Sequence, residues 1–328
     1  MRKGNPLVTL ISVFSILLAS LGVMEIAQAQ AWPTKPIKFI VPYPPGGGTD
    51  IIARIMQEPL SQVLGQQIII DNRGGAGGSI GTDIVAKSTP DGYSVLFTLS
   101  SHTINPAIYP KLAFDTEKDF LPVSLVASLP QILVANPNFP AKTVKEVIEM
   151  AKSKPDAVSY ASVGNGSPGH LAGAMMASSA GVAMMHIPYR GGGPAITDVI
   201  AGQVPLLWVS IPAAANYVKT GKLNALAVST VKRSPIFPDV PTMVELGFKD
   251  YEVDSWYAMF VPAGTPQATV DTLYKATVRV LADPAVKEKL LGQGAEAVGS
   301  SPAQLGAIVK AELVKWKKVA KQASIKAE

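Results

Sequence analysis

Two stretches of this sequence place the same residue types in the same order, far apart in the chain. PYPPGGGTDII begins at Pro42, and PYRGGGPAITDVI begins at Pro188. Each follows a short apolar run, contains three consecutive glycines and leads into a helical pattern near a Thr-Asp pair. The first turn of a helix has unpaired backbone N–H groups and a partial positive charge. Because glycine lets an anion approach those groups closely, both turns predict anion binding.

Two further glycine turns, at residues 74–79 and 164–169, also lead directly into helical patterns. In open α/β sheets such turns gather at the carboxyl ends of the strands, where ligands bind. Each turn taken alone is better explained as a tight connection from strand to helix. Four of them in one chain favour an anion-binding function.

A possible nucleophile, Ser79, lies in the glycine turn at residues 74–79, where Gly77 to Gly81 match G-x-S-x-G. The nucleophile elbow of esterases needs its serine directly after a strand. Eight residues separate Ile70 from Ser79, so a helix start in a glycine-rich loop explains the match better. His102, His170 and His186 could each supply a base, and a secreted serine hydrolase acting through Ser79 therefore stays open as an alternative.

Cofactor and metal motifs are weak in this sequence. Gly164 to Gly169 satisfy G-x-G-x-x-G, the dinucleotide fingerprint, after a predicted strand and before a predicted helix. No strand ending in Asp or Glu follows about 20 residues later, as that fingerprint requires. The chain has no cysteine and no H-E-x-x-H motif, which excludes thiolate metal sites and zincin chemistry. We therefore expect neither a cofactor nor a metal.

Predicted strands and helices alternate along most of the chain, which indicates parallel sheets covered by helices. Helices are predicted from Asp50 to Leu64 and from Ser79 to Lys87. Later helices are predicted to begin at Thr143, which has Glu146 as its capping-box partner, and at Thr265-Pro266, Asp283-Pro284 and Ser301-Pro302. The predicted strands are Ile37–Val41, Ile68–Ile70, Ser94–Leu99, Val123–Ala127, Ile132–Ala135, Val158–Ser162, Met184–Ile187, Leu206–Val209, Leu223–Val228 and Tyr257–Val261.

The N-terminal segment has the features of a secretory signal peptide. Arg2 and Lys3 precede an apolar run, and small-x-small cleavage patterns end at Ala29 and Ala31. We therefore expect export and cleavage after residue 29 or 31. The 328-residue chain has a mild net charge of +5 and no concentrated basic stripe, so no nucleic-acid partner is expected.

Seven motifs stand in the order and spacing of a known family, and together they span nearly the whole mature chain. They are VPYPPGGGTDIIAR, DNRGGAGGSIGTDIVAKSTPDGYSVLFT, GNGSPGHLAG, YRGGGPAITDVIAGQV, GKLNALAVST, RSPIFPDVPTMVELG and VPAGTP. On these residues the sequence resembles the Bug-type periplasmic solute-binding receptors of the tripartite tricarboxylate transporter family.

The resemblance implies a type II periplasmic binding protein, or Venus flytrap, with two α/β lobes. Each lobe would be a mostly parallel sheet flanked by helices. Residues 32–128 and 254–328 would form domain 1 and residues 129–253 domain 2, with crossings near Leu129 and Asp254. The protein would capture a small organic carboxylate between the lobes and deliver it to membrane permease subunits, without metal, cofactor or covalent chemistry. We expect a periplasmic monomer; a co-receptor that signals to a membrane kinase would bind in the same way.

By position, the resemblance implies a ligand site with walls from both lobes. Arg190 and His170 each have an alternative structural role, as an ion-pair partner and as a packed helix residue. The implied ligand-binding residues are Tyr43, Pro45, Gly47, Gly48, Thr49, Asp50, Ser101, His102, Gly166, Ser167, His170, Tyr189, Arg190, Gly191, Gly192 and Val209.

One departure from the family pattern bears on the ligand. Many members read G-x-V-D-x-x-F-D where this chain reads GQVPLLWV from Gly202, so Pro205 and Val209 replace two acidic residues. Residues 205, 207 and 209 share one face of a strand, which predicts an apolar stripe in the cleft. A buried ammonium group without a partner is strongly disfavoured. We therefore expect a ligand with a carboxylate, no ammonium, and an aromatic or dicarboxylic body.

Overall fold

A computed structural model describes residues 32–154, 157–249, 251–322 and 325. The predicted signal peptide, residues 1–31, lies outside the described residues. All regular elements lie in one compact unit that begins at Lys35. The strands are β1 (Ile37–Val41), β2 (Ile68–Asn72), β3 (Ser94–Leu99), β4 (Phe120–Ala135), β5 (Ser159–Ser162), β6 (Met185–Pro188), β7 (Leu206–Ser210), β8 (Asn224–Val228), β9 (Asp254–Pro262) and β10 (Glu296–Ala297). The helices are α1 (Gly48–Leu64), α2 (Ser79–Ala86), α3 (Ser101–Ile108), α4 (Val144–Ser153), α5 (Pro168–Ala180), α6 (Gly192–Ile200), α7 (Ile211–Lys219), α8 (Gln267–Ala282), α9 (Pro284–Gly292) and α10 (Pro302–Gln322).

The strands form two sheets that share β4, and each sheet belongs to one lobe. The first sheet has the order β2-β1-β3-β9-β4, with β10 also paired to β4, and the second joins β4 to β8, β7, β5 and β6. Three strands in each sheet are parallel, β2-β1-β3 and β7-β5-β6. The pairings made by β4 and β9 are antiparallel. The α/β two-lobed fold expected from the sequence is confirmed.

The longest strand passes from one lobe to the other. The sequence predicts two strands here, but β4 is continuous for 16 residues. Its first part pairs with β9 as far as Pro130, which is opposite Asp254, and from Gln131 onward it pairs with β7. Pro130 interrupts the apolar pattern without ending the strand, because the strand changes neighbours at this point.

Most of the predicted helix starts are confirmed. The capping box of Thr143 and Glu146 is present, and the Ser301 and Gln304 side chains each accept from the other's backbone N–H. Asp283 caps α9. The prediction that Thr265 caps a helix is wrong: its hydroxyl donates to the Pro262 carbonyl, and α8 begins two residues later.

In the described part of the chain, clusters of buried apolar residues fill the spaces between the sheets and their helices. Trp208 of β7 is fully buried and belongs to the cluster that includes Tyr160 and Tyr251. Across the described part of the chain, no helix combines the length and apolarity needed to span a membrane.

Candidate functional site

The first wall of the candidate site is the start of α1. The chain leaves β1, passes three prolines and two glycines, and enters α1 at Gly48, with Gly47 as N-cap and no side-chain cap. A side chain at Gly48 would overlap the Ser210 and Tyr257 hydroxyls, so only glycine fits there. The first N–H groups of α1 are thus left without a side-chain cap.

The second wall is built in the same way by the other lobe. After β6 the chain reaches Gly191, which has a φ of 136° and lies against the Pro44 ring, and α6 begins at Gly192 without a side-chain cap. The two helix starts face each other directly. A methyl group placed on Gly192 would lie 3.7 Å from the Gly47 Cα atom. Both helix N-termini therefore direct partial positive charge at one place.

Between these helix starts is a small inner cavity of about 20 Å³, which is room for about one water molecule. No lining residue carries a charged side chain, so the helix N-termini and the neutral polar groups are the features able to attract an anion. Its lining residues are Tyr43, Gly47, Gly48, Thr49, Leu99, Gln131, Val163, Pro168, Gly191, Gly192, Ser210, Ser255 and Tyr257.

Two tyrosines of the inner cavity are held as neutral hydrogen-bond donors. Burial raises the pKa of Tyr257 to about 12, although hydrogen bonds with neighbouring Ser210, Ser255 and Thr49 act against that rise. Burial also raises the pKa of Tyr43, whose hydroxyl donates to the Gly77 carbonyl at 3.2 Å. Neither ring is ionised near neutral pH, so neither repels an anion.

An outer pocket of about 210 Å³ adjoins the inner cavity and shares Tyr43 and Val163 with it. The loop at Gly77 meets the Asn165 carbonyl of the other lobe at this pocket. Tyr189 donates to Asp198 at 2.7 Å, and burial together with this carboxylate raises the Tyr189 pKa to about 12. The Arg190 side chain lies at the rim and is exposed. Arg190 has no ion pair within the described ranges, which leaves its charge available.

Among the residues expected from the sequence, six line the inner cavity, and Tyr189 and Arg190 line the outer pocket. The six are Tyr43, Gly47, Gly48, Thr49, Gly191 and Gly192. Pro45 is exposed outside both spaces, although its carbonyl lies close to Gly193.

Asp50 is buried, and its side chain stabilises the glycine turn that precedes α1. Its carboxylate accepts hydrogen bonds from the Gly46 N–H, from Arg54 and from Asn72. Burial acts to raise the Asp50 pKa, but these bonds hold it below its usual value. Asp50 therefore orients the glycine turn, and it lines neither the inner cavity nor the other space between the lobes.

His102 lies away from the cleft, and the expectation that it faces the cleft is therefore corrected. Its ring is buried among Phe120, Phe260 and Phe114, with ring centroids 4.9, 4.6 and 6.3 Å away. Burial lowers the His102 pKa to about 3. Ser101 is also buried and lies beside the Tyr43 hydroxyl, behind the cavity wall.

The turn at residues 164–169 is stabilised by its own polar side chains. Ser167 caps α5 by accepting from the His170 N–H, and the His170 Nδ1 atom accepts from the Gly166 N–H at 3.3 Å. The His170 ring stacks on His186 at 3.9 Å. Burial lowers the His170 pKa to about 4. Pro168 and Val163 of this region reach the inner cavity, whereas Gly166, Ser167 and His170 do not line it.

Val209 lies behind the cavity wall, because both faces of β7 are covered. Its side chain is 1% exposed in an apolar cluster and approaches within 3.7 Å of the position that a Gly192 side chain would take. The apolar stripe predicted for the cleft is therefore packed against the helices. Val209→Asp would bury a carboxylate in the core, so it does not isolate an effect on the ligand.

Sequence reasoning missed several cavity residues. Ser210 ends β7 at its carboxyl end, a position at which ligand contacts are expected in open sheets, so a signal was present. Ser255 and Tyr257 belong to β9, and Gln131 lies on β4 just after the change of neighbours. No local pattern singles out these three, since the antiparallel crossing of β4 and β9 brings them to the cavity.

Ser79 does not have the surroundings of a nucleophile. It is the first residue of α2, and its hydroxyl donates to the Ala76 carbonyl. Strand β2 ends at Asn72, and a short 3₁₀ turn intervenes. The three histidines are engaged with Phe rings or with one another. The nucleophile-elbow interpretation therefore has no structural support.

Two lobes that share a crossing strand and enclose a cavity without charged side chains resemble the periplasmic binding proteins, and similarity to known proteins gives the family. A family model described as "Tripartite tricarboxylate transporter family receptor" matches residues 52–325. BugT of Bordetella pertussis is 35% identical over 319 residues, which cover 97% of this chain and 98% of BugT. The chain therefore belongs to the tripartite tricarboxylate transporter receptor family, and the predicted resemblance to Bug-type receptors is confirmed.

Solved structures agree with this assignment. The periplasmic binding protein BugD is 36% identical, with a TM-score of 0.87 and coverage of 90% of this chain and 100% of BugD. The R. palustris protein Rpa4515, solved with adipate, is 34% identical, with a TM-score of 0.88 and coverage of 90% and 100%. The family is one of solute receptors, a role without catalysis.

Proposed function

We propose that this protein is an exported receptor that captures a small organic carboxylate between its lobes and delivers it to a membrane permease. One observation carries the proposal: the uncapped N-termini of α1 and α6 face each other across the inner cavity. Helix N-termini bind anions through free N–H groups and partial positive charge. The bound adipate of the similar protein Rpa4515 supports a carboxylate as the anion.

The inner cavity must widen to admit such a ligand, because about 20 Å³ holds only a water-sized group. We propose that the lobes, residues 32–128 with 254–328 and residues 129–253, separate about the crossing of β4 and β9. Ser229 ties this crossing together: its hydroxyl accepts from the Gln131 N–H and donates to the Val253 carbonyl. Opening would move the helix N-termini apart, and an anion between them would favour closure.

The outer pocket supplies room for the body of the ligand. It continues from the inner cavity and has Arg190 at its rim. A carboxylate between the helix N-termini would leave a second acidic group near this guanidinium. A short dicarboxylate or an aromatic acid therefore fits the combined space.

The proposal is tested by a thermal-shift screen of the mature protein against organic acids, including adipate, glutarate, succinate and benzoate. An acid that binds only the folded state raises the melting temperature. We expect a shift that grows with concentration for at least one of them. If no carboxylate stabilises the protein, the proposed ligand class is wrong.

Glutarate and glutamate provide a sharper test, since they differ only by the ammonium group. No lining residue of either space is Asp or Glu, and an ammonium buried without a partner is strongly disfavoured. We expect calorimetry to give at least about tenfold weaker binding for glutamate than for glutarate, about 1.4 kcal/mol. Succinate and aspartate serve as a second matched pair. Tighter binding of the amino acids would contradict the ligand class.

Transport and signalling remain two outcomes of the same binding chemistry. A co-receptor for a membrane kinase would need the same cavity, so the candidate site does not separate the two roles. Deletion of the partner permease subunits distinguishes them: uptake of the identified acid is expected to stop, whereas a signalling role would leave the transcriptional response to that acid intact.

A further inference from the structure

Asp254 lies at the point where the chain passes between the lobes. It is the first residue of β9 and is opposite Pro130 of β4. The next residue of β4, Gln131, pairs with β7 of the second sheet. Val253, which precedes Asp254 in the chain, donates its backbone N–H to the Ser229 carbonyl. A rotation of the lobes about this crossing therefore takes place at Asp254.

The Asp254 carboxylate is poorly compensated in this position. Its Oδ1 atom is sealed from solvent and has no hydrogen-bond partner among the described residues. A buried acceptor left without a partner is costly, and more so when it is charged. Because protonation removes that charge, these surroundings favour the neutral carboxyl.

Two carboxylates and one ammonium group act on Asp254. Glu252 lies two residues before it in the chain, and Glu312 and Lys315 lie on α10. Burial is the largest cause of the rise in the Asp254 pKa to about 6. The Glu252 charge adds to this rise, Lys315 opposes it, and Glu312 adds a smaller part. The pKa thus lies well above the ordinary value of about 3.9.

Helix α10 crosses over this point and packs against both lobes. Near its beginning, Leu305 and Val309 belong to an apolar cluster of the first lobe. Toward its end, Trp316 and Ala320 belong to the cluster that contains Leu133 of the second lobe. The helix therefore stays packed along its whole length only while the lobes keep this relative position.

Glu312 fastens the middle of α10 to the first lobe. Its carboxylate accepts hydrogen bonds from the Thr103 hydroxyl at 2.6 Å, from Trp256 Nε1 at 3.0 Å and from Trp316 Nε1 at 3.3 Å. Beyond Glu312 the helix reaches the second lobe. Separation of the lobes must therefore break the packing at this end of α10, which admits water to the crossing and to Asp254.

We propose that closure of the lobes is coupled to protonation of Asp254, so that the receptor takes up a proton when it captures its ligand. This coupling rests on the proposed closure of the lobes around an anion. In the open form water reaches the carboxylate, which stays ionised, and in the closed form the neutral carboxyl is favoured. A fall in pH therefore favours closure. Between pH 7 and pH 5 this group alone is expected to raise the ligand affinity about tenfold.

The test compares the two forms without a ligand, by means of a disulfide between the lobes. The chain has no cysteine. A Cβ atom added at Gly192 would lie 3.7 Å from the Gly47 Cα atom, a separation that suits a disulfide. In the oxidised Gly47→Cys/Gly192→Cys protein the lobes are held closed, and reduction frees them.

Carboxyl ¹³C NMR follows the titration of Asp254 in both forms, and Asp254→Asn in the same background identifies its resonance. The pKa is expected to be about 6 in the oxidised form. In the reduced form it is expected to be lower by at least about one pH unit, because the open lobes hydrate the carboxylate. Equal titration of Asp254 in the two forms overturns the proposal.

A second measurement uses the chain without new cysteines. Calorimetry of adipate binding at pH 6, in buffers that differ in ionisation enthalpy, gives the number of protons taken up. The wild type is expected to take up about half a proton more than Asp254→Asn, which keeps the size of the side chain but cannot titrate. Asp239→Asn, at an exposed position, is the matched control and should take up as much as the wild type.

Equal proton uptake by the wild type and Asp254→Asn contradicts the coupling. Failure of adipate to bind would instead count against the proposed ligand class, because the disulfide comparison decides the coupling without a ligand.

Discussion

Gly192→Asp is expected to weaken the affinity for the organic acid selected by thermal shift at least about 100-fold, about 2.7 kcal/mol. Gly192 is the first residue of α6 and faces Gly47 across the inner cavity. A Cβ atom added there would meet its nearest neighbours at 3.5 to 3.7 Å, which is ordinary van der Waals contact. Its carboxylate would then compete with the ligand for the N–H groups and repel it.

The control is Ala285→Asp, which adds the same charge to the first turn of α9. Ala285 is exposed and lines neither interlobe space, so ligand affinity should match the wild type. Gly48→Asp is a poorer test, because its side chain would overlap the Ser210 and Tyr257 hydroxyls and disturb the fold. Calorimetry measures affinity and circular dichroism checks folding. Wild-type affinity in a folded Gly192→Asp protein would remove the α6 N-terminus from the site.

A steep loss of stability is expected when the pH falls from about 6.5 to about 4. Burial lowers the pKa of His102 to about 3 and of His170 to about 4. Burial, with a smaller contribution from His170, lowers the pKa of His186 to about 3. In the unfolded chain all three imidazoles titrate near 6.5. Below that pH the unfolded chain binds protons that the folded chain does not, so its free energy falls relative to that of the folded chain.

One buried carboxyl acts in the opposite direction. Burial, reinforced by Glu252, raises the pKa of Asp254 to about 6, although Lys315 opposes this rise. The folded chain therefore binds one proton that the unfolded chain does not between about pH 4 and 6, and stability gains from it as the pH falls. The three histidines add about three protons to the unfolded chain, and the carboxyl adds about one to the folded chain. Near pH 5 the unfolded chain therefore binds about two more protons than the folded chain. The free energy of unfolding should thus fall by about 2.7 kcal/mol per pH unit there.

Urea unfolding at a series of pH values measures this slope. His102→Phe keeps a ring in the aromatic cluster but removes one titrating group, so the slope should decrease by about one proton, about 1.4 kcal/mol per pH unit. Asp254→Asn should increase the slope, since it removes the opposing group. A wild-type stability that is constant between pH 6.5 and 4.5 would show that the histidines are not buried in neutral form.

The sequence alone predicted the features that depend on local interactions. Glycine turns, capping residues and apolar runs act through interactions between residues that are close in sequence. They therefore predict helix starts such as those at Thr143 and Ser301. The same local logic identified Gly47, Gly48, Gly191 and Gly192. A helix N-terminus without a side-chain cap is a property of its own residues.

Only the tertiary structure decided which of these groups meet and which side chains face the cavity. Gln131, Ser255 and Tyr257 reach the inner cavity because β4 and β9 cross between sheets, a long-range pairing that no short pattern records. The orientation of His102 depends on long-range packing for the same reason. It follows β3 at the expected position, but helix α3 directs its ring into a cluster of phenylalanines that lie close in space and distant in sequence. Local interactions therefore determined the glycine turns and the uncapped helix starts, and packing between distant segments determined their surroundings.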